Sequence, residues 1–497
     1  MAMLRKTTGD VVVVGAGVAG CSAFYHLTKL NRFNRSFRPI LVDALPPLSL
    51  TSANGSFSYR NWFPGDDEAP MRELVTQSID ELDEISRKTN NMIGLNRNGY
   101  LFVTRDAKKV DEWKRLGRRL ELSGGGGLRV HEEGRALRGY RFSPKQIEYD
   151  LDGTDILLGI DNIKHVFPAL KDSNAIAALH VRRCGSMNPF KLGNYELTKA
   201  LEYCPNAQIL RGKVTDFFAD GGKISGLKIE GDNGETHDVS TPNVVFATGP
   251  LFEETMGLLK KRDMSSFTIP IINELHARAV FDDPSGTITS TMPLTFDSDP
   301  IGHLEFSDEE RQEYAGSPST ARMLEEYPSG STLTHSTSCV HVRPYTNSKM
   351  MCVWTYDIEP VAAKYPVEEL LDPRFPETCL RGLTKLFPQL KSYLEDSQVR
   401  SSFAVNGGYY CKTLDNMPLI GPAPSTVEGV YLQSAMSGVG LMSSGASGQL
   451  LAAHVMGQKP QAHRLAKYGH AFLPSRFENQ GYIASLAGGA RSRTGQV

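Results

Sequence analysis

Val11 to Val14 is a run of four β-branched residues with no polar interruption, the pattern of a parallel strand covered on both faces. Cys21 to Leu30 then reads as a helix, and Pro39 to Val42 as a second short strand. Asn243 to Phe246 is a third, ending in the small-residue turn Ala247-Thr248-Gly249-Pro250. Upstream of it, Gln208 to Val214 and Lys223 to Glu230 read as strands of a glycine-punctuated β-meander. Asn98 to Val103 reads as a hairpin strand. Cys339 to Pro344 and Met350 to Tyr356 read as a strand pair around a polar turn at Tyr345 to Ser348. With period two, His341 and Arg343 share one face of their strand, opposite Val340 and Val342.

A chain of 497 residues exceeds what one hydrophobic core serves, so two domains are expected. A net charge of −2 gives no general attraction to nucleic acid or to an anionic membrane. Basic pairs such as Lys108-Lys109 have acids interleaved and read as a solvated helix face. No apolar stretch reaches membrane-spanning length, and the polar start leaves no room for a secretory signal. Seven cysteines are scattered singly with no CxxC pair. That fits a reducing cytoplasmic setting and free thiols better than disulfides or a metal site, so no metal is expected.

The first strand ends in Gly15-Ala16-Gly17-Val18-Ala19-Gly20, and a helix follows at once. This is GxGxxG in its meaningful context: Gly15 for the tight turn, Gly17 for close approach of a pyrophosphate, Gly20 for helix–strand packing. The helix N-terminus offers free N–H groups and the positive end of its dipole to phosphates. Asp43 closes the second strand at the spacing of a carboxylate that bonds ribose hydroxyls, which favours FAD or NAD over NADP. The motif alone does not separate FAD from NAD.

Three further segments are distinctive: Met187-Asn188-Pro189-Phe190; Gly408-Tyr409-Tyr410-Cys411-Lys412-Thr413-Leu414-Asp415-Asn416-Met417-Pro418-Leu419-Ile420-Gly421-Pro422; and Ser437-Gly438-Val439-Gly440-Leu441-Met442 with the helix after it. Together with Val11 to Asp43 and Ala247-Thr248-Gly249, they resemble the D-amino-acid-oxidase/sarcosine-oxidase superfamily of FAD enzymes, which includes glycine oxidase and the dimethylglycine dehydrogenases. The resemblance covers nearly the whole chain. It implies an α/β fold: a glutathione-reductase-type FAD-binding Rossmann domain (1–90, 161–255 and 400–497) with an interleaved α+β substrate domain on an antiparallel sheet (91–160 and 256–399). The cofactor residues it implies are Gly15, Gly17, Val18, Ala19, Gly20, Asp43, Ala44, Ser52, Arg60, Asn61, Val214, Ala247, Thr248, Gly249, Asp415 and Gly438 through Met442. The turn at Gly438 would aim a helix N-terminus at the flavin edge that gathers negative charge on reduction.

Some members of this superfamily attach FAD covalently through a Cys or a His. Here the Cys position falls at Gly408, three residues before Cys411, and Thr51 to Ser56 holds no His, so dissociable FAD is expected. Met442 stands where the sarcosine-oxidase branch has a carboxylate-binding lysine. Lys349 falls near that branch's flavin-facing lysine, within a residue or two of register. Arg343 is read equally as a grip on a substrate carboxylate and as a strand-end arginine. Trp62 is a pocket wall or core packing, and of Tyr409 and Tyr410 alternation sends one away from the substrate, Tyr410 holding the family position. His165, His180 and His454 read as isolated helix or loop histidines without a role.

The expected function is an FAD-dependent oxidoreductase passing hydride from a C–H beside an amine nitrogen to flavin N5, with reoxidation by O2 or another acceptor. The partner is a small molecule carrying an amine, with a carboxylate in some readings. A 2-hydroxy-acid dehydrogenase using His341 as base is the first rival, and a non-catalytic FAD-stabilised scaffold the second.

Overall fold

The computed structural model describes residues 7–142, 147–265, 268–316, 318–325, 339–346, 348–356, 359–458 and 465–487. Among them, two large sheets organise the chain. The first has six strands in the order Gln208–Arg211, Pro39–Asp43, Val11–Val14, Val244–Phe246, Val430–Ser434, Leu419–Pro422. Its pairs are parallel except the last. Its centre explains the unbroken valine run. Val11 and Val13 pack under the helices Val18–Leu30, Ala69–Lys88, Pro189–Tyr203 and Gly440–Val455. Val12 and Val14 face Phe217, Leu227 and Val239 of the four-stranded meander. Gly212 breaks the strand expected at Gln208 to Val214 into Gln208–Arg211 and Lys213–Asp220.

The second sheet has nine strands: Ala404–Thr413, Ile271–Asp282, Lys349–Val353, His341–Thr346, Leu294–Asp297, Tyr100–Thr104, Ala177–Val181, Thr154–Leu158, Leu128–His131. It is antiparallel except where Tyr100–Thr104 lies parallel to Leu294–Asp297, and Leu128–His131 to Thr154–Leu158. Tyr100–Thr104 is therefore an inner strand rather than half of a hairpin. Two members of this sheet, Ala177–Val181 and Ala404–Thr413, lie in segments assigned from sequence to the cofactor domain. Ala404–Thr413 runs beside Ile271–Asp282 over ten paired positions, so it carries the chain out of the substrate sheet and back to the first sheet.

One face of the nine-stranded sheet is a conventional apolar core containing Leu101, Val103, Ala279, Phe281, Val340 and Val342. The opposite parity of the Ile271–Asp282 strand gives Glu274, His276 and Arg278, all buried. A polar face that is nonetheless buried is the signature of a functional wall.

Candidate active site

A cavity of about 820 Å³ runs from the first sheet to that polar face. At one end it is lined by Gly15, Gly17, Val18, Ala19, Asp43, Ala44, Ser52, Val214, Ala247, Thr248 and Gly249. Gly15 sits at φ 101°, and a Cβ there would stand 2.5 Å from the Ala247 carbonyl oxygen. Gly20 does not line the cavity; a Cβ on it would meet the Gly15 oxygen at 1.7 Å, so the helix can lie on the turn only with glycine there. Asp43 fastens the turn from below, accepting from the Ala16 N–H at 2.6 Å and the Leu45 N–H at 2.7 Å. Ser52 Oγ accepts from Val18 N–H at 3.0 Å at the N-terminus of the helix.

At the far end the cavity meets a second helix N-terminus, Gly440–Val455, through Gly438, Gly440, Leu441 and Met442. Ala435 and Ser437, neither of them glycine, both hold φ 50° just before it, left-handed strain of the kind that collects at ligand-facing turns. Val439 faces the helical core instead, beside Ala446 and Leu450. Neither helix carries a side-chain cap from its own N-cap residue, so two positive dipole ends open on one cavity.

The polar wall comes from the two long strands. Glu274 pairs with Tyr410 across the ladder, and Ile272 with Lys412, so Glu274, His276, Arg278, Tyr410 and Lys412 all line the cavity. Lys412 Nζ lies 3.0 and 3.2 Å from the two Glu274 oxygens. His276 Nε2 lies 3.3 Å from Glu274 Oε2, and its ring stacks on Tyr410 at 3.7 Å and 16°. Burial alone would raise the Glu274 pKa, but hydrogen bonds from His276 and Lys412 and the lysine's charge hold it below the usual carboxylate range. Burial pushes His276 down and Tyr410 up, so both are neutral near pH 7. Sequence reading missed Glu274, His276 and Arg278. Their signal was period-two polarity in Glu274-Leu275-His276-Ala277-Arg278, which looks like an ordinary wet strand face until burial is known.

Several expected residues take other places. Trp62 is core packing, 1% exposed among Tyr100, Phe102 and Trp113, and does not line the cavity. Asn61 is likewise buried off the cavity. Asp415 is used in its own turn: it accepts from Thr413, Tyr482 and the Met417 N–H, and Arg476 Nε lies 2.7 Å away. Lys349 lies at a half-exposed strand end, paired with Asp282 at 2.5 Å. His180 is a buried strand residue held by Tyr140 and the Asn98 carbonyl. Cys411 lines the cavity from the apolar cluster it shares with Val14 and Leu432, and burial pushes its thiol up to about 12.

Arginine placement is the main correction. Arg343 does not line the cavity; its Nε and one terminal nitrogen donate to the Ser56 carbonyl at 3.0 and 2.8 Å, and the other donates to Pro344. Arg278 donates to the carbonyls of Gly55 and Ala53 at 2.6 and 3.2 Å. Both thus hold the backbone at the end of the short helix Thr51–Asn54. Arg60 lines the cavity, 4% exposed, with a long bond from Nε to the Trp62 carbonyl at 3.4 Å and the Phe63 ring at 4.9 Å. No described carboxylate forms an ion pair with it, although Glu68 is near enough to feel its charge. His341 lines the cavity too; its Nδ1 is 2.9 Å from the Cys339 carbonyl, and burial lowers it to about 4.

The sequence profile of the FAD dependent oxidoreductase family matches residues 10–302 and 312–454, and the chain belongs to that family. The cofactor of that family is FAD, and the cavity fits it: a glycine turn no Cβ could enter, an acid closing the second strand, and two helix N-termini without a side-chain cap from their own N-cap residues. Human mitochondrial sarcosine dehydrogenase is 22% identical over 309 residues, 60% of this chain and 28% of that protein. The chain thus spans under a third of the curated relatives it matches. Among solved structures, L-proline dehydrogenase from P. horikoshii shares the fold with TM-score 0.64 at 19% identity, covering 95% of this chain and 98% of the other. Glycine oxidase from Geobacillus kaustophilus gives 0.64 at 15% identity, covering 95% and 99%. No described helix is long and apolar enough to cross a membrane.

Proposed function

We propose that this protein oxidises the C–H bond beside the amine nitrogen of a small amino-acid-like substrate. The observation that carries the reading is the wall itself: Arg60, buried and in no ion pair with a described carboxylate, lines the same cavity as the Glu274–Lys412–His276–Tyr410 cluster and the dinucleotide turn. FAD, when bound, supplies the two-electron acceptor. Gly15, Gly17, Val18, Ala19, Asp43, Ser52, Val214 and Thr248 would hold its dinucleotide part, and the helix end at Gly438 to Met442 its ring. It is held without a covalent bond on this reading, because the position that carries such a link in some relatives is Gly408 here, while Cys411 lies three residues further on.

Arg60 takes the substrate carboxylate, since a buried guanidinium with no carboxylate in direct contact is stabilised most by a planar anion. The aromatic and polar wall then orients the amine and excludes water. The names of the relatives, for sarcosine, L-proline and glycine, support an amine of this size. A 2-hydroxy acid would need a base to take its hydroxyl proton, and His341, held at about 4, is a poor acceptor at neutral pH.

Anaerobic mixing of the purified holoprotein with sarcosine, L-proline, glycine and matched 2-hydroxy acids tests the reading. Bleaching of the flavin by an amine and not by the hydroxy acids is expected. Bleaching by hydroxy acids alone, or by nothing, would reject it.

A further inference from the structure

We propose that His276 is the proton acceptor of this site: its Nδ1 takes a proton from the substrate's ammonium group, leaving the neutral amine from which hydride can depart. The inference rests on the amine reading above. One N–H bond of the ammonium breaks, one Nδ1–H bond forms, and the electron pair stays on the substrate nitrogen.

The tautomer is dictated by what surrounds the ring. Glu274, held ionised beside Lys412, can only accept, so the His276 Nε2 that faces it at 3.3 Å carries the hydrogen. In the neutral ring Nδ1 then presents a lone pair. That atom is buried with no hydrogen-bond partner among the described residues, on a side chain 7% exposed that lines the cavity. A buried acceptor without a partner is costly, and it persists where a ligand completes it. Stacking on Tyr410 keeps the ring from turning, so the lone pair has a fixed direction.

The groups around the ring tune it in opposite senses. Glu274, on the same strand, stabilises the imidazolium once formed. Lys412, from the neighbouring strand, opposes it, and burial does so more strongly, so the resting ring is neutral and ready to accept. Tyr410 packs against it without charge, and the nearby His341 is neutral as well. His341 is the weaker candidate: its Nδ1–H donates to the Cys339 carbonyl and leaves Nε2 as the acceptor, but burial lowers it to about 4, whereas Glu274 supports the imidazolium of His276.

His276→Asn is the test variant, examined as holoprotein with its flavin spectrum confirming cofactor content. Anaerobic flavin reduction by sarcosine, L-proline or glycine is followed from about pH 6 to about pH 10, a span that brackets histidine and approaches the amine. The variant should be at least ~100-fold slow near neutrality. The deficit should shrink about tenfold per pH unit as the free amine becomes abundant. A wild-type rate, or a deficit equal at every pH, overturns the proposal. Nitrogen-15 NMR of histidine-labelled wild-type holoprotein, with the signal assigned by its loss in His276→Asn, supplies a readout that needs no substrate. An Nε2–H tautomer near neutrality is expected, and an Nδ1–H tautomer overturns the proposal whichever amine is tried. If none of the three amines bleaches the wild-type flavin, the amine reading has failed, and the tautomer alone still decides whether His276 presents its lone pair.

Discussion

At the Val11–Val14 end of the cavity the binding surface is backbone: N–H groups of one turn, the end of one helix, and glycines that leave room. At the Ile271–Asp282 end it is side chains, five of them ionisable or aromatic, drawn from strands more than a hundred residues apart and buried together. The first kind of surface recognises what every dinucleotide shares, and any side chain intrudes on it. The second is where, on the proposed function, a substrate is chosen, and its groups are expensive to bury unless each has a partner. The two ends should therefore fail in different ways.

The largest effect is expected at Gly20. A valine would place carbon inside the Gly15 carbonyl, an overlap beyond the ~1–3 kcal/mol of ordinary overpacking. Gly20→Val should yield no flavin-bearing protein, and a purified variant with a normal flavin spectrum would show that helix and turn do not meet as described. Next comes Lys412→Met at the other end. It strands Glu274 at 8% exposure and should cost ~3–5 kcal/mol in urea unfolding, most of it regained in Lys412→Met with Glu274→Gln. If the double variant is as unstable as the single, the lysine's methylenes rather than its charge are what matter. Smallest is Asp43→Ala. Losing a charged acceptor should cost ~1.5–3 kcal/mol and weaken FAD roughly 10- to 150-fold. Reduction of the FAD-saturated variant should stay at the wild-type rate, and a slower rate would mean the two ends are coupled.

The contrast also explains what could be read from sequence. Val11 to Asp43 is contiguous, and each residue does locally what its type suggests, so strand, turn, helix and acid were all legible there. Lys223 to Glu230 was legible for the same reason. The polar wall was not, because Glu274 and Lys412 are 138 positions apart and meet only through strand register. Arg343 illustrates the limit: alternation put it on the same face as His341, but its reach across to the Ser56 carbonyl depends on a loop from another part of the chain. Trp62 and Asp415 were assigned from the family resemblance of the segments that hold them, two and three positions from the cavity residues Arg60 and Lys412. Trp62 instead joins the core around Trp113, and Asp415 is paired with Arg476, which lies 61 positions further on.

The most direct test of the account compares Arg60 with Arg343. Anaerobic flavin reduction by the best carboxylate-bearing amine, and by its methyl ester, is measured in wild type, Arg60→Ala and Arg343→Ala. Removing the partner of a buried charge pair costs ~2–5 kcal/mol, so Arg60→Ala should lose more than roughly tenfold with the acid and much less with the ester. Arg343→Ala, which only loosens the loop at Ser56, should slow both substrates alike. Arg60→Ala reducing at the wild-type rate with the acid, while Arg343→Ala discriminates acid from ester, would contradict the account and return the carboxylate to Arg343.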